Sequence, residues 1–239
     1  MSHLYRVLCL TIALLTGSHA FIFAQNINFP RNFRDIFGVG CSLGYSYSDA
    51  SGYNRWARWQ NMSEGTSHYI PISFDLYAAN PDGNYTSLEY YNHILTNGQK
   101  PTPNHNSLVL KRGYNVRSWG NIHLIPCLGV GLQTNRINFK RIIPPSLVGL
   151  GFSNKAYARR TAMVLNPEIN LLINQLGSKK EMIVGIRTGT TLSFLQGNWR
   201  YGESTEDGFD SEIVQGLPET MRESFYVKLY LGFQVSLSK

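Results

Sequence analysis

Apolar and polar residues alternate without a break from Phe225 to Leu237. Phe225, Val227, Leu229, Leu231, Phe233, Val235 and Leu237 share one parity; Tyr226, Lys228, Tyr230, Gly232, Gln234 and Ser236 share the other. A period of two marks a strand with one apolar face, and the helical i, i+3, i+4 spacing is missing. About 9–11 tilted residues cross a bilayer core, so this strand is long enough to span one.

The same alternation recurs upstream. Phe37 to Ser48 sets Phe37, Val39, Cys41, Leu43, Tyr45 and Tyr47 against Gly38, Gly40, Ser42, Gly44, Ser46 and Ser48. Such a small face suits a narrow barrel interior in which bulky neighbours must fit. Further strands are predicted at His68–Ala78, Tyr85–Leu95, Ser107–Arg117, Ile122–Gln133, Thr161–Asn174 and Glu181–Phe194. Tyr85–Leu95 also reads as a helix. Pro71 lacks an N–H and predicts a bulge or a rim position. Arg112 carries outward parity, and a charge facing mid-bilayer costs about 2–4 kcal/mol, so the strand bulges there or Arg112 lies near the rim.

Eight strands result, joined by alternately long and short connections. The long ones are 49–65, 96–106, 134–160 and 196–221, and the tight ones lie at 80–84, 118–121 and 176–180. The predicted class is all-β: an eight-stranded antiparallel up-and-down transmembrane β-barrel, with long loops at one end and tight turns plus both termini at the other. A soluble lipocalin-like barrel is the alternative, and it requires the apolar face inward.

The N-terminus changes the setting. Met1 to Gln25 has Arg6, an apolar run over Val7–Leu15 and small residues near Ser18–Ala20 and Ala24, the layout of a secretory signal peptide. An N-terminal membrane anchor is the competing reading. Residues 26–239 then form one barrel domain. Charged residues make up 15% and aromatics 13%, which suits strands facing lipid. The net charge of +7 raises nucleic acid as a partner. Export and the gathering of bases on one loop argue against it. Cys41 is expected outward and Cys127 inward, which disfavours a disulfide. No His/Cys spacing matches a metal site, and no cofactor is implied.

The segment Tyr230-Leu231-Gly232-Phe233-Gln234-Val235-Ser236-Leu237 looks like the β-signal read by barrel-assembly machinery, although the chain ends in Lys239 rather than an aromatic residue. The mature chain is similar to small outer-membrane β-barrels, OmpX/OmpA-like in architecture. Its Gln-ended signal peptide and Phe-Tyr-Val-Lys-Leu strand most resemble the PorT-like barrels. That resemblance implies residence in the outer membrane and, through PorT, an association with type IX secretion. It brings no functional residue with it.

By parity Asp75, Glu89 and Glu168 face Lys111, Arg187 and Lys228 in the lumen. They form either a gated conduit or a filled, non-conducting interior, since buried charges must be paired. The connection 134–160 carries Arg136, Lys140, Arg141, Lys155, Arg159 and Arg160 and no acid. It is expected to bind anionic outer-membrane lipid, lipopolysaccharide included, or to dock on the acidic connection 196–221, or to remain solvated. Trp56, Trp59, Trp119 and Trp199 read as interfacial anchors. Ser67-His68 invites comparison with outer-leaflet lipid hydrolases, but adjacent strand residues face opposite ways and no third orienting residue appears. The expected function is non-enzymatic: structural, surface-interacting or accessory to an envelope secretion or assembly complex. A narrow solute pore and a lipid-modifying enzyme are the alternatives.

Overall fold

The structure is a computed structural model that describes residues 36–62, 64–80, 82–94, 104–138, 156–176, 182–203, 212–218 and 223–236. The predicted signal peptide lies outside them. The elements in chain order are β1 (Ile36–Ser48), α1 (Ser51–Trp59), β2 (His68–Ala79), β3 (Asn84–Ile94), β4 (Asn104–Tyr114), β5 (Arg117–Trp119), β6 (Ile122–Asn138), β7 (Ala156–Leu176), β8 (Met182–Gln196), β9 (Trp199–Glu203), β10 (Glu212–Val214) and β11 (Glu223–Ser236).

Eight of these strands close into an antiparallel barrel in the order β1-β2-β3-β4-β6-β7-β8-β11, and β11 pairs back onto β1 from Ile36↔Ser236 to Ser48↔Ser224. β5 adds a short pairing to β6, β9 prolongs β8 along β7, and β10 pairs with β9. The strand at 84–94 settles the ambiguity there in favour of β. The β2–β3 turn is tight because Gly83 adopts φ +86° while Asn80 Oδ1 accepts the Asn84 N–H at 2.9 Å.

Side chains on the outward parity are exposed and apolar all round the barrel, among them Phe74, Leu110, Val130, Ile186, Leu229 and Phe233. The inward parity is buried and mainly polar or aromatic, with aliphatic Val109, Ile125, Val164, Leu172 and Ile183 among it. This is the reverse of a lipocalin-like barrel, and it is the surface of a barrel immersed in lipid. Among the described residues no helix is long and apolar enough to cross a membrane. Arg112 faces outward with no register shift on either side, two residues from the short-turn end of β4, so its charge sits at the rim. Pro71 stays in register with His93 on β3, but the β1–β2 ladder opens between Leu43↔Ile72 and Ser46↔Tyr69, where the proline has no N–H to give.

β6 and β7 outrun the prediction. They span 17 and 21 residues and stay paired as far as Asn138↔Tyr157. With β9 they raise a wall above the long-loop end, and its inner face carries Ile137, Ala158 and Trp199.

Candidate functional site

The interior is built in layers. At the short-turn end Tyr77, Tyr85, Ile125, Cys127, Leu172, Ile183 and Tyr230 form an aromatic and aliphatic floor. β1 makes room for it: a Cβ on Gly38 or Gly40 would collide with the rings of Tyr77 or Tyr230.

Above the floor lie the six predicted lumen charges, contributed by six different strands, and the structure brings all of them together. Lys111 Nζ is 2.6 Å from Glu168 Oε2 and also pairs with Glu89. Lys228 Nζ is 2.5 Å from Glu89 Oε1 and 3.8 Å from Glu168 Oε2. Arg187 Nη2 donates to Asp75 Oδ2 at 2.9 Å and to the Tyr85 hydroxyl at 3.0 Å. Tyr226 donates to Glu168 at 2.7 Å, and Asn166 Nδ2 donates to the Tyr226 hydroxyl at 3.0 Å. All six charged side chains are buried. Each carboxylate has a cationic partner, so the layer is electrically balanced and held by charge-assisted bonds.

Higher still, Tyr91, Val109 and Val164 pack together, followed by a layer holding Tyr69, His93, His105, Gln133 and Asn135. The top is α1. Tyr53, Trp56 and Ala57 lie at i, i+3 and i+4 and pack with Met62 against Ile137, Ala158 and Trp199. Asp49 accepts the Ser51 N–H at 2.9 Å at the helix start. The helix ends in a Schellman arrangement: Asn61 takes φ +55°, Met62 N–H donates to Ala57 O at 2.8 Å, and Asn61 N–H donates to Arg58 O at 3.1 Å. Trp199 Nε1 donates to Pro218 O at 3.0 Å, which ties the β10–β11 connection to the cap. Burial pushes the Tyr53 hydroxyl above its ordinary range, so it stays protonated.

The barrel has counterparts of known structure. The chain is similar to the Neisserial surface protein A, at 10% identity, covering 84% of this chain and 97% of that one with a TM-score of 0.49. It is also similar to the N-terminal β-barrel domain of Pseudomonas aeruginosa OprF, at 10% identity, covering 85% and 100% with a TM-score of 0.42. The attachment invasion locus protein Ail of Yersinia pestis matches at 7% identity, covering 84% and 99% with a TM-score of 0.45. No protein-family model matches the chain, and no curated protein does. These likenesses are of shape and assign no role.

Several expectations are corrected. The connection after β1 is not a plain loop, because α1 forms there. Trp56 and Trp199 are buried in the cap rather than placed at an interface, while Trp59 is 87% exposed and Trp119 half exposed. The basic loop is not one loop: Arg136 lies on β6, and Arg159 and Arg160 lie on β7. Arg160 turns inward and covers the Trp199 ring at 4.9 Å. Arg136 and Arg159 sit opposite each other, and Arg159 sits opposite Arg200 on β9. Arg136 Cζ lies 3.8 Å over the Tyr157 ring and its Nε donates to Asn138 Oδ1 at 2.8 Å. Lys140, Arg141 and Lys155 lie outside the described residues. The histidine layer and the helical cap are the features the residue pattern alone did not disclose.

Proposed function

We propose that the chain is a non-enzymatic outer-membrane barrel protein that is closed to solutes and acts through its outer end. The observation that carries this reading is the interior. Six buried charges pair across the lumen, with an aromatic floor beneath them and α1 above. Eight strands leave an interior just wide enough for side chains, and here side chains fill it.

The outer end supports a structural or surface-interaction role, including accessory work in an envelope secretion or assembly complex of the kind a PorT-like barrel would serve. Trp59 stands out from α1 one turn beyond exposed Arg55 and next to exposed Arg58, and aromatic and arginine side chains are the usual anchors of protein interfaces. The row Arg136, Arg159 and Arg200 supports contact with anionic lipid headgroups, lipopolysaccharide included. Hydrolysis is poorly supported: His68 Nδ1 bonds the Tyr45 hydroxyl at 2.5 Å, and among the described residues the ring has no serine partner.

Planar-bilayer recording tests the closed interior, and resolved single-channel steps from the folded protein overturn it. Crosslinking in intact envelopes, with the Trp59→Ala chain as comparison, tests the surface role. A partner captured by wild type and lost in the variant is the expected result.

A further inference from the structure

Three arginines stand in one line across the outside of the wall. Arg136 on β6 lies opposite Arg159 on β7, and Arg159 lies opposite Arg200 on β9. Their chain neighbours Asn135, Ile137, Ala158, Arg160 and Trp199 are buried, so by alternation all three arginines point outward. Adjacent strands run about 4.8 Å apart, and the line therefore covers about 10 Å of surface. Asn104 continues it on β4, opposite Arg136.

Like charges directly opposite one another on a sheet repel, and an anion laid along the line relieves that repulsion. One end of the row is held in place: Arg136 Cζ lies 3.8 Å over the Tyr157 ring, and its Nε donates to Asn138 Oδ1 at 2.8 Å. Arg159 and Arg200 also make contacts within the protein, which a bound headgroup would share.

The rows beneath place this line relative to lipid. Two residues down the strands, Asn106, Thr134 and Thr161 lie opposite one another on β4, β6 and β7. Two residues further down lie Leu108, Leu132 and Met163, all exposed and apolar. Two residues advance a strand by about 6.8 Å, and strands of such barrels tilt by about 35–45°. The arginine line then sits about 10 Å above the apolar row, with uncharged hydroxyl and amide groups between. Apolar, neutral polar and cationic rows in that order complement a glycolipid whose sugar carries phosphate. Acyl chains meet the apolar row, sugar hydroxyls meet Asn and Thr, and phosphate meets guanidinium. A phosphomonoester carries a charge of about −1.5 to −2, more than the phosphodiester of a simple phospholipid, and suits several adjacent cations better.

We propose that Arg136, Arg159 and Arg200 bind the phosphate of a phosphorylated glycolipid, with Asn106, Thr134 and Thr161 against its sugar. The proposal rests on the anionic-lipid contact inferred for the outer end and names the headgroup. The full chain, folded in uncharged detergent, is mixed with lipid A, with lipid A stripped of phosphate, and with phosphatidylglycerol. Retained lipid is read by native mass spectrometry, and folding is checked by heat-modifiable gel mobility. Lipid A is expected to be the most tightly held. Arg136→Gln, Arg159→Gln and Arg200→Gln are each expected to weaken it about fivefold, and the triple variant about a hundredfold. Arg112→Gln, at the opposite rim, is expected to leave it unchanged. Equal binding of lipid A by wild type and the triple variant overturns the proposal, as does equal binding of lipid A and its dephosphorylated form. Phosphatidylglycerol held as tightly as lipid A overturns the glycolipid assignment while the broader anionic-lipid contact stands, and failure to bind either anionic lipid removes both. If the triple variant does not fold, the guanidinium Nε resonances of folded wild type decide. Movement of the Arg136, Arg159 and Arg200 signals on adding lipid A supports the site, and unmoved signals overturn it.

Discussion

The guanidinium of Arg187 lies 3.6 Å above the ring of Tyr230 while its Nη2 donates to Asp75 at 2.9 Å. One cation therefore joins the aromatic floor to the charged layer and links β8, β11 and β2. Arg187→Glu places a third carboxylate beside Asp75 and Glu89 and removes the cation. Loss of one member of a buried pair costs about 3–5 kcal/mol. A large drop in thermal stability in detergent is expected, with no gain in conductance. An unchanged melting temperature would show that the network does not hold the barrel.

The cap makes its own prediction. Trp56→Ala removes the one tryptophan that α1 buries against Ile137, Ala158 and Trp199. Truncating a buried tryptophan costs about 3–5 kcal/mol when the site cannot collapse. The barrel below retains its strand pairing, so the loss is local. Limited proteolysis is expected to cut 49–67 quickly in the variant and slowly in wild type, with heat-modifiable mobility unchanged in both. Equal cutting rates would mean that α1 is not held by this contact.

Depth in the bilayer separates two outward positions. Leu229 is 69% exposed at the middle of β11, and Leu229→Arg is expected to cost about 2–4 kcal/mol in unfolding from lipid vesicles. Arg112 already carries a charge at the rim, so Arg112→Leu is expected to change stability little. Equal effects at both positions would contradict the assigned belt.

The cysteines report the two faces directly. Cys41 and Cys127 are free, one exposed on the outer surface and the other buried in the floor. A membrane-permeant maleimide is expected to label Cys41 in the folded protein, and Cys127 only after denaturation. Labelling of both at equal rates would reverse the parity assigned to β6.

The barrel is legible in the sequence because a period of two is local: each residue from Phe225 to Val235 declares its side without reference to any partner. The six lumen charges were legible for the same reason. Their pairing geometry was not, since Lys111 and Glu168 meet only after β6 and β7 have set their register. α1 is not legible in the sequence because its apolar face amounts to Tyr53, Trp56 and Ala57 within nine residues, and the surface that receives it comes from β6, β7 and β9. The strand positions of the basic residues are not legible in the sequence because Arg136 and Arg159 interrupt the apolar parity, although the backbone ladder continues past them above the lipid-facing belt. His93 and His105 come together only through the β3–β4 register, since twelve positions of sequence separate them.

The seam between β1 and β11 ties the beginning of the described chain to its end, with Gly40 beside Gly232 and Cys41 beside Leu231. Neither strand has any other partner on that side, and hydrocarbon offers no substitute for a missing backbone bond. Closure of the barrel consequently depends on β11, whose pairing removes both open edges at once. A polypeptide halted before Glu223 keeps two raw edges and has no resting place inside the bilayer.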